Sequence, residues 1–301
     1  MSQQYLRKYK VQVVNKDDVA LDVSNLRCAF RIEKIGIQAI NFAIIQIFNL
    51  NDETALGIID EGMRVIVQAG YENGPFGVIF DGDIFQPIYD RVNVVDYVLT
   101  LHCIDGDSIL NDNFVGFTTN AGSETRDDLI NMLKHSEKSI PAGTITEDFE
   151  TRKLPRGKTF FGEPKKYIRQ AAQGNNSEWC ISDGQLDFSK ITEVSESEAL
   201  VLSPDTGLIG VPEQTPEGVH FRCLLNPSIV IKKPPMSIKL SMSLIRQRKR
   251  ELGQLQTRLD NDGLYKVATV IHSGDTRGND WYTEVFGVNL VGTIPVIASI
   301  R

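Results

Sequence analysis

The sequence predicts a mainly β (α+β) protein in which two strand-rich terminal domains flank a small α+β domain. Apolar and polar residues alternate with period two over the first hundred residues and again after about residue 195, and helix signals are confined to the middle. Many short strands separated by regular turn signals are typical of an antiparallel barrel or sandwich. We therefore divide the 301 residues into domains 1–105, 106–195 and 196–301.

The N-terminal domain contains three clear strand signals. RCAFRIEK (27–34), MRVIVQA (63–69) and DYVLTLHC (96–103) each place apolar side chains on one face and mostly polar ones on the other. The clusters NLNDET (49–54) and ENGP (72–75) lie between them and are typical of turns. These patterns predict a sheet whose apolar face packs on a core and whose other face is exposed to solvent.

The middle domain contains two helix signals and one hairpin signal. SETRDDLINMLKH (123–135) combines capping-box spacing with an apolar stripe, and GEPKKYIRQAAQG (162–174) has Pro164 in its first turn and Gly174 at its end. WCISDGQLDF (179–188) has an Asp-Gly turn between alternating apolar residues, which predicts a β-hairpin.

Strand patterning returns in the C-terminal domain. LYKVATVIH (264–272) and WYTEVFGV (281–288) alternate on either side of the turn-rich segment 273–280. This order echoes GVIFDGDI (77–84) followed by the strand signal at 96–103. The echo predicts two related barrels in one chain.

A connection of about twenty residues, 243–262, separates two of these predicted strands and carries the basic residues Arg246, Arg248, Lys249 and Arg250. Connections of this length are either functional or mobile. Two interpretations stay open: a solvated flexible loop, or a loop that reaches a neighbouring subunit or an acidic partner ring.

Composition limits the partners and the compartment. The chain is 41% hydrophobic and 24% charged, and its formal net charge of −7 argues against a protein that coats nucleic acid. The start MSQQYLRKYK lacks an apolar signal region, and the most apolar stretch, 39–48, is too short to span a bilayer. We expect a chain that stays soluble inside a cell, without stable membrane insertion. Cys28, Cys103, Cys180 and Cys223 lack metal or redox spacing, so we expect buried free thiols.

RGKTFFG (156–162) contains the GKT tripeptide of a phosphate-binding loop. The complete motif needs a glycine five positions before Gly157, and that position is Arg152. His102 and His272 lie near carboxylates but lack metal-ligand spacing. The sequence also lacks a nucleophile elbow and a carboxylate in a distinctive apolar setting. We therefore predict no catalytic residue, no cofactor-binding residue and no metal ligand, and no enzyme activity.

Several longer stretches carry a resemblance that no single motif carries. They are, in order, FAIIQIFNLNDETA, GMRVIVQAGYENGPFGVIFDGDI, DYVLTLHCIDGDSIL, RGKTFFGEPKKYIRQAA, SEWCISDGQLDF, LVLSPDTGLIGVPEQTPEGVHFRCLLNPSI and GLYKVATVIHSGDTRGNDWYTEVFGV. Together they span roughly residues 28–290 and resemble the baseplate hub proteins of long-tailed bacteriophages. That family is related to the hub part of type VI secretion spike proteins.

The resemblance implies two tube-type antiparallel β-barrel domains, 1–105 and 196–301, on either side of the small α+β domain 106–195. It also implies a ring-shaped homotrimer whose six barrels join a six-fold tail tube to a three-fold spike and let DNA pass through the lumen. Expected partners are the tail tube protein, the central spike protein and other baseplate proteins, without specific nucleic-acid binding. The expected location is the virion tail baseplate, assembled in the host bacterial cytoplasm.

In hub-like chains the segment RGKTFFG looks like the start of a packing helix and not like a nucleotide loop. Gly157 and Gly162 would then allow tight backbone turns, and Phe160 and Phe161 would anchor the helix onto the small domain.

Two other functions stay open. One is a tail-associated cell-wall hydrolase, which needs acidic catalysts that the sequence does not reveal. The other is a carbohydrate-binding tail module that uses exposed aromatic residues such as Trp281 and Tyr282.

Overall fold

The chain folds mainly into antiparallel β-structure, which confirms the predicted class. The computed structural model describes residues 4–36, 40–106, 113–147, 149, 153–195, 198–215, 218–247 and 263–289. Helix α1 (Asp52–Glu61) lies among the first strands. These strands are β1 (Arg7–Asn15), β2 (Ala20–Asp22), β3 (Cys28–Ile35), β4 (Asn41–Phe48), β5 (Gly62–Tyr71), β6 (Phe76–Arg91) and β7 (Tyr97–Asp105).

Within its described residues, the middle of the chain (106–195), here called the middle unit, contains two helices and two small sheets. Its helices are α2 (Thr125–Lys134) and α3 (Pro164–Gly174), close to the bounds that capping and periodicity predicted. Its strands are β8 (Val115–Thr118), β9 (Ala142–Ile145), β10 (Thr159–Gly162), β11 (Ser177–Ser182) and β12 (Gln185–Lys190). Strand β8 pairs with β10, and β12 lies between β11 and β9.

The last region returns to strands. They are β13 (Leu200–Leu202), β14 (Leu208–Gln214), β15 (Val219–Leu224), β16 (Ser237–Leu240), β17 (Arg246–Gln247), β18 (Leu264–Asp275) and β19 (Trp281–Asn289). Two short 3-10 turns lie at Pro204–Thr206 and Met242–Leu244. Among the described residues, no helix is both long and apolar enough to cross a membrane.

The terminal regions share one large sheet instead of forming two closed barrels. Within the described residues its strand order is β17-β14-β15-β19-β18-β3-β4-β7-β6-β5-β1-β2, with β13 and β16 attached beside β18. We call strands β1 to β7 the N-terminal half-sheet and strands β13 to β19 the C-terminal half-sheet. The expectation of barrel closure within each half was wrong, because β3 pairs with β18 on its outer side and not with β1.

The alternation seen in the sequence becomes a buried face and an outer face. On β4, Ala43, Ile45 and Ile47 are fully buried while the residues between them are partly exposed. Ile45 and Ile47 each contribute about 1.5–3 kcal/mol of burial free energy, so this face holds the N-terminal half-sheet to its core. A second core fills the middle unit around Trp179 and Phe188.

The four cysteines are buried and free, as expected. Burial raises the pKa of the Cys28 thiol to about 12, and it raises the pKa values of Cys180 and Cys223 to about 12 as well. The pKa of Cys103 is also raised by burial. These thiols therefore stay protonated and unreactive at neutral pH.

Candidate functional site

The two half-sheets meet along an antiparallel ladder between β3 and β18. The register runs from Ile35 opposite Thr269 to Ala29 opposite Asp275. At one end of the ladder Arg27 donates to both carboxylate oxygens of Asp275, from Nε to Oδ1 at 3.2 Å and from Nη2 to Oδ2 at 2.6 Å. The hydrogen bond from Arg27 is the main reason why the pKa of Asp275 lies below its ordinary value. The two half-sheets are therefore joined by backbone and side-chain hydrogen bonds between residues that lie near opposite ends of the sequence.

A second contact ties β1 to the connection between β18 and β19. The Arg7 guanidinium donates to the carbonyl oxygens of Asp275, Gly278 and Asn279 at 3.1, 2.6 and 3.0 Å. Its Cζ also lies 5.3 Å from the ring centre of Trp281. The loop at the end of the C-terminal half-sheet is thus held by the first strand of the N-terminal one.

The middle unit is attached to the N-terminal half-sheet through a buried carboxylate. Asp105 accepts hydrogen bonds from Asn41 Nδ2 at 3.1 Å, from the Asp183 N–H at 2.8 Å and from the Gly184 N–H at 3.0 Å. Lys34 Nζ binds Asp183 Oδ1 at 2.8 Å. Burial raises the pKa of Asp105, and these donors act against that rise. Because Asp183 and Gly184 form the tight turn between β11 and β12, the network fixes the hairpin against the sheet.

A buried ion pair attaches the middle unit to the C-terminal half-sheet. Lys233 Nζ lies 2.6 Å from Glu178 Oε2, and their side chains are 1% and 11% exposed. Nearby, Lys266 Nζ donates to the Ile191 carbonyl oxygen at 3.1 Å. Burial lowers the pKa of Lys266, while the charge of Glu178 acts in the opposite direction. The Glu178 carboxylate therefore forms an ion pair with Lys233 and also favours the charged form of Lys266.

The outer face of the C-terminal half-sheet forms an open groove of about 760 Å³. Its centre is apolar, with Ile209, Val211, Ile271 and Phe286 among the lining residues. A bulge in β14 between Ile209 and Glu213 leaves Ile209 and Val211 exposed. Charged residues surround the centre and include Glu33, Glu213, Arg222 and Glu284. The apolar centre with a charged rim is the usual anatomy of a protein-binding surface.

A second exposed apolar surface lies on the connection between β6 and β7. Residues 92–96, which we call the hairpin tip, carry Val94 and Val95 with exposed fractions of 82% and 77%. The Asn93 side chain accepts the N–H groups of Val95 and Asp96, both at 2.8 Å. Arg91 donates to the Asn93 and Val94 carbonyl oxygens. The valines thus stand on a turn whose backbone is well fixed.

The segment around GKT (156–162) packs against other parts of the middle unit. A Cβ atom on Gly157 would clash with the Thr119 carbonyl oxygen, and Gly162 has φ +118°. Phe160 is 2% exposed and contacts the ring of Tyr167 on α3, as a helix anchor requires. Phe161, by contrast, is 72% exposed and is not part of this core.

Phe161 faces the opposite way because neighbouring residues of a strand point to opposite faces. Its ring forms an edge-to-face contact with Phe114, with centroids 5.1 Å apart. Its backbone N–H and carbonyl group both bond to the Tyr167 hydroxyl, at 2.8 and 3.0 Å. The expected anchoring by two phenylalanine side chains is therefore carried by Phe160 alone.

The basic connection is described only at its start. Arg246 lies in β17, whose two residues pair in parallel with Glu213 and Gln214 of β14. Arg248, Lys249 and Arg250 lie outside the described residues. The interpretation of 243–262 as a contact loop stays a prediction.

The structure also places His272 and Trp281, two of the other residues that the sequence analysis considered for function. His272 is buried, with Nδ1 2.9 Å from Thr283 Oγ1, and burial lowers its pKa to about 3. Trp281 is 3% exposed, so it is not the exposed aromatic residue that the alternative of a carbohydrate-binding module requires. Within the described residues, no group of three or more His, Cys, Asp and Glu side chains is placed to hold a metal ion.

Solved structures with a similar fold come from phage tails and type VI secretion. The tail protein from Neisseria meningitidis MC58 matches with a TM-score of 0.59 at 10% identity, over 95% of this chain and 97% of that chain. The prophage MuSo2 43 kDa tail protein from Shewanella oneidensis gives 0.57 at 8% identity, over 95% and 100%. The E. coli c3393 protein, a component of the type VI secretion system, gives 0.54 at 10%, over 96% and 80%.

The chain therefore has the fold of phage tail proteins and of a type VI secretion component. Within this class, a family model described as baseplate hub gp41 matches residues 9–233, and the chain belongs to that family. No curated protein matches the chain. Family membership confirms the resemblance seen in the sequence and gives the protein a structural role in the phage tail, as a component of the virion.

Proposed function

We propose that this chain forms a ring-shaped homotrimer, the central baseplate hub that joins the six-fold tail tube to the three-fold spike. Three chains would contribute six half-sheets to the ring, and closed cyclic symmetry would make the three copies equivalent. Regions 1–105 and 196–301 would build the ring, and the middle unit, 106–195, would lie beside it. Assembly would take place in the host bacterial cytoplasm.

The observation that carries this proposal is the β3–β18 joint. It holds two antiparallel half-sheets of one chain side by side, which is the arrangement needed to place two ring segments per subunit. The sheet is open at both ends within the described residues. An open sheet leaves unpaired strand edges, and assembly with a neighbour is one way to cover them.

Charge supports the passage of DNA through such a ring. The chain has a formal net charge of −7, and a surface that repels phosphate does not retain a passing duplex. We expect an inner wall that is predominantly acidic or neutral. Specific nucleic-acid binding, stable membrane insertion and enzyme activity form no part of the proposed role.

Light scattering on the purified full chain, followed by electron microscopy of the particles, tests the ring. The expected result is a mass of three chains and a three-fold particle with a central hole. A compact monomer at all concentrations, or an assembly whose subunit number is not a multiple of three, would overturn the proposal.

A further inference from the structure

The hairpin tip has the properties of a preformed binding element. Among the described residues, Val94 and Val95 have two of the highest exposed fractions of any large hydrophobic side chain. Turn chemistry does not require them, since turns favour Gly, Asn, Asp, Ser and Pro. Asp96 accepts further bonds from Asn49 and Asn93 at 2.9 and 2.7 Å. Little backbone freedom is left to lose on binding, which favours association.

The outer groove begins on β14, at the opposite end of a continuous run of eight strands, and extends across β15, β19 and β18 to Glu33 on β3. Within the described residues, these strands run β14-β15-β19-β18-β3-β4-β7-β6, and each neighbouring pair is antiparallel. Because the run has an even number of strands, its two end strands point in opposite directions. A head-to-tail neighbour would therefore place β6 of one copy antiparallel to β14 of the next, the same relation as within each chain.

We propose that the hairpin tip of one copy of this chain seats in the outer groove of the next copy. This inference rests on the proposed trimer and names the surfaces that close it. The contact is heterologous, because a tip meets a groove and not another tip, and such contacts form rings when their rotation closes. Val94 and Val95 bury against Ile209, Val211 and Phe286, which belong to the apolar centre of the groove.

Side-chain packing, and not a continuous backbone ladder, holds this contact. Beyond Ile84, the second half of β6 pairs with β7 alone among the described strands, and Tyr89 on it donates a hydrogen bond to Asp52 of α1. However, Pro87 on β6 and Pro212 on β14 lack an N–H group, and β17 already pairs with the end of β14. Prolines on edge strands limit strand addition. The apolar tip and groove must then supply most of the affinity.

Electrostatics does not drive the contact, and this gives a first test. The charged residues are Asp96 in the tip with Asp90 and Arg91 beside it, and Glu33, Glu213, Glu284 and Arg222 in the groove. With formal charges at pH 7 the tip carries −1 and the groove −2. Salt screens such repulsion, so trimerisation should be unchanged or strengthened between about 0.05 and 0.5 M salt. Dissociation of the trimer over that range would contradict an apolar contact.

Cross-linking between two variants, each with one introduced surface cysteine, tests the contact directly. Full-length Val94→Cys and Val211→Cys chains are mixed, allowed to exchange, and treated with a short bis-maleimide. A covalent dimer of one chain of each kind is expected only in the mixture. The four native cysteines are buried and do not compete. The matched control replaces Val94→Cys with Val19→Cys, which is also exposed but lies next to β2, away from the tip.

Substitution gives an independent measurement. Val94→Asp should weaken self-association at least tenfold in light scattering, because burying a carboxylate in the groove is unfavourable. Val19→Asp should leave self-association unchanged, and thermal unfolding of both variants shows whether the fold is intact. Val94→Ile keeps the apolar tip and should preserve the trimer.

The outcomes separate this inference from the proposed function. A trimer that forms without the Val94–Val211 cross-link, or one that tolerates Val94→Asp, overturns the tip-in-groove contact and leaves the hub proposal standing. A wild-type chain that stays monomeric at about 100 μM overturns both, since micromolar affinity is expected for such an interface. A cross-link that forms equally with Val19→Cys also contradicts the assignment.

Discussion

The buried pair between Glu178 and Lys233 leads to an asymmetric stability prediction. Glu178 faces two buried lysines, Lys233 at 2.6 Å and Lys266 through its charge. Replacing Glu178 with Gln removes the carboxylate that binds Lys233 and the negative charge that favours the ammonium form of Lys266. Replacing Lys233 with Met leaves the carboxylate with Lys266 still nearby. We therefore expect Glu178→Gln to be the more destabilising of the two substitutions.

The magnitude follows from the cost of an uncompensated buried charge. Removing one partner of a buried pair costs about 3–5 kcal/mol. Glu178→Gln should lie at the upper end, at about 5 kcal/mol, because Lys233 loses its ion-pair partner and Lys266 loses a favourable nearby charge. Lys233→Met should cost about 3 kcal/mol, because the Glu178 side chain is 11% exposed and keeps one lysine. At about 2 °C per kcal/mol for a chain of this size, Tm should fall by about 10 °C and about 6 °C.

Thermal unfolding of the two variants and a surface control measures this difference. The control is Arg64→Met, which breaks the Arg64–Asp81 pair at 2.5 Å on the protein surface, where the arginine side chain is 49% exposed. Exposed pairs contribute about 0–1 kcal/mol, so the control should lower Tm by no more than about 2 °C. The midpoint is read by circular dichroism at one protein concentration, because oligomerisation shifts Tm.

Two results would refute the reasoning. One is a Tm loss for Glu178→Gln no larger than that for the Arg64→Met control, which would mean that the pair is as well solvated as a surface pair. The other is a larger loss for Lys233→Met than for Glu178→Gln, which would mean that Lys266 does not share the carboxylate.

Three further changes are predicted. Asp105→Asn should cost about 2–4 kcal/mol, because an amide cannot accept at both ends as the carboxylate does, and limited proteolysis should then cut the middle unit free more readily. Arg27→Met should lower stability by up to about 1 kcal/mol at pH 7. Since the folded pKa of Asp275 is lowered, this difference is fully present above the unfolded pKa and should vanish as pH falls through the folded one, measured by urea unfolding from pH 7 to pH 2. Gly157→Ala should lower Tm, because a Cβ there meets a backbone oxygen, whereas Gly174→Ala, with open space around it, should not.

Local pattern was sufficient for most individual elements. The alternation in 27–34 and 96–103 predicted β3 and β7 to within a few residues, because a sheet with one buried face imposes period two on its sequence. The Asp-Gly turn predicted the β11–β12 hairpin, in which Asp183 and Gly184 both adopt positive φ.

Helix α1 was missed for a physical reason. Its start lies in the cluster 49–54, which is rich in turn-forming residues, and Gly57 in its interior lowers helix propensity. The available signal was Asn51, whose side chain accepts the Thr54 N–H at 2.7 Å as an N-cap, followed by acidic residues in the first turn. The same residue types are favoured in turns and at helix N-termini, so the sequence pattern did not distinguish a turn from the start of α1.

The candidate site was less accessible from sequence, because periodicity gives the face of a strand but not its neighbour. Nothing in the pattern of β3 distinguishes pairing with β1 from pairing with β18, more than 200 residues away. Lys34 and Asp105 likewise continue strand patterns, and both bond to Asp183 in the turn of the middle unit. Phe160 and Phe161 show the same limit: an aromatic pair in a strand must split between two faces, and sequence did not indicate which one faces the core.

The two kinds of contact in the proposed ring differ in strength, and this difference bears on its role. Within a chain, neighbouring half-sheets share the β3–β18 ladder, whereas between chains they would share only apolar side-chain packing. Six half-sheets would then alternate between two unlike joints, which makes the ring three-fold while each of its six segments stays antiparallel and similar. The middle unit occurs once per chain and is fixed to both halves by Asp105 and Glu178. A partner on the side of the middle units would therefore meet three copies, and a partner on the side of the half-sheets would meet six.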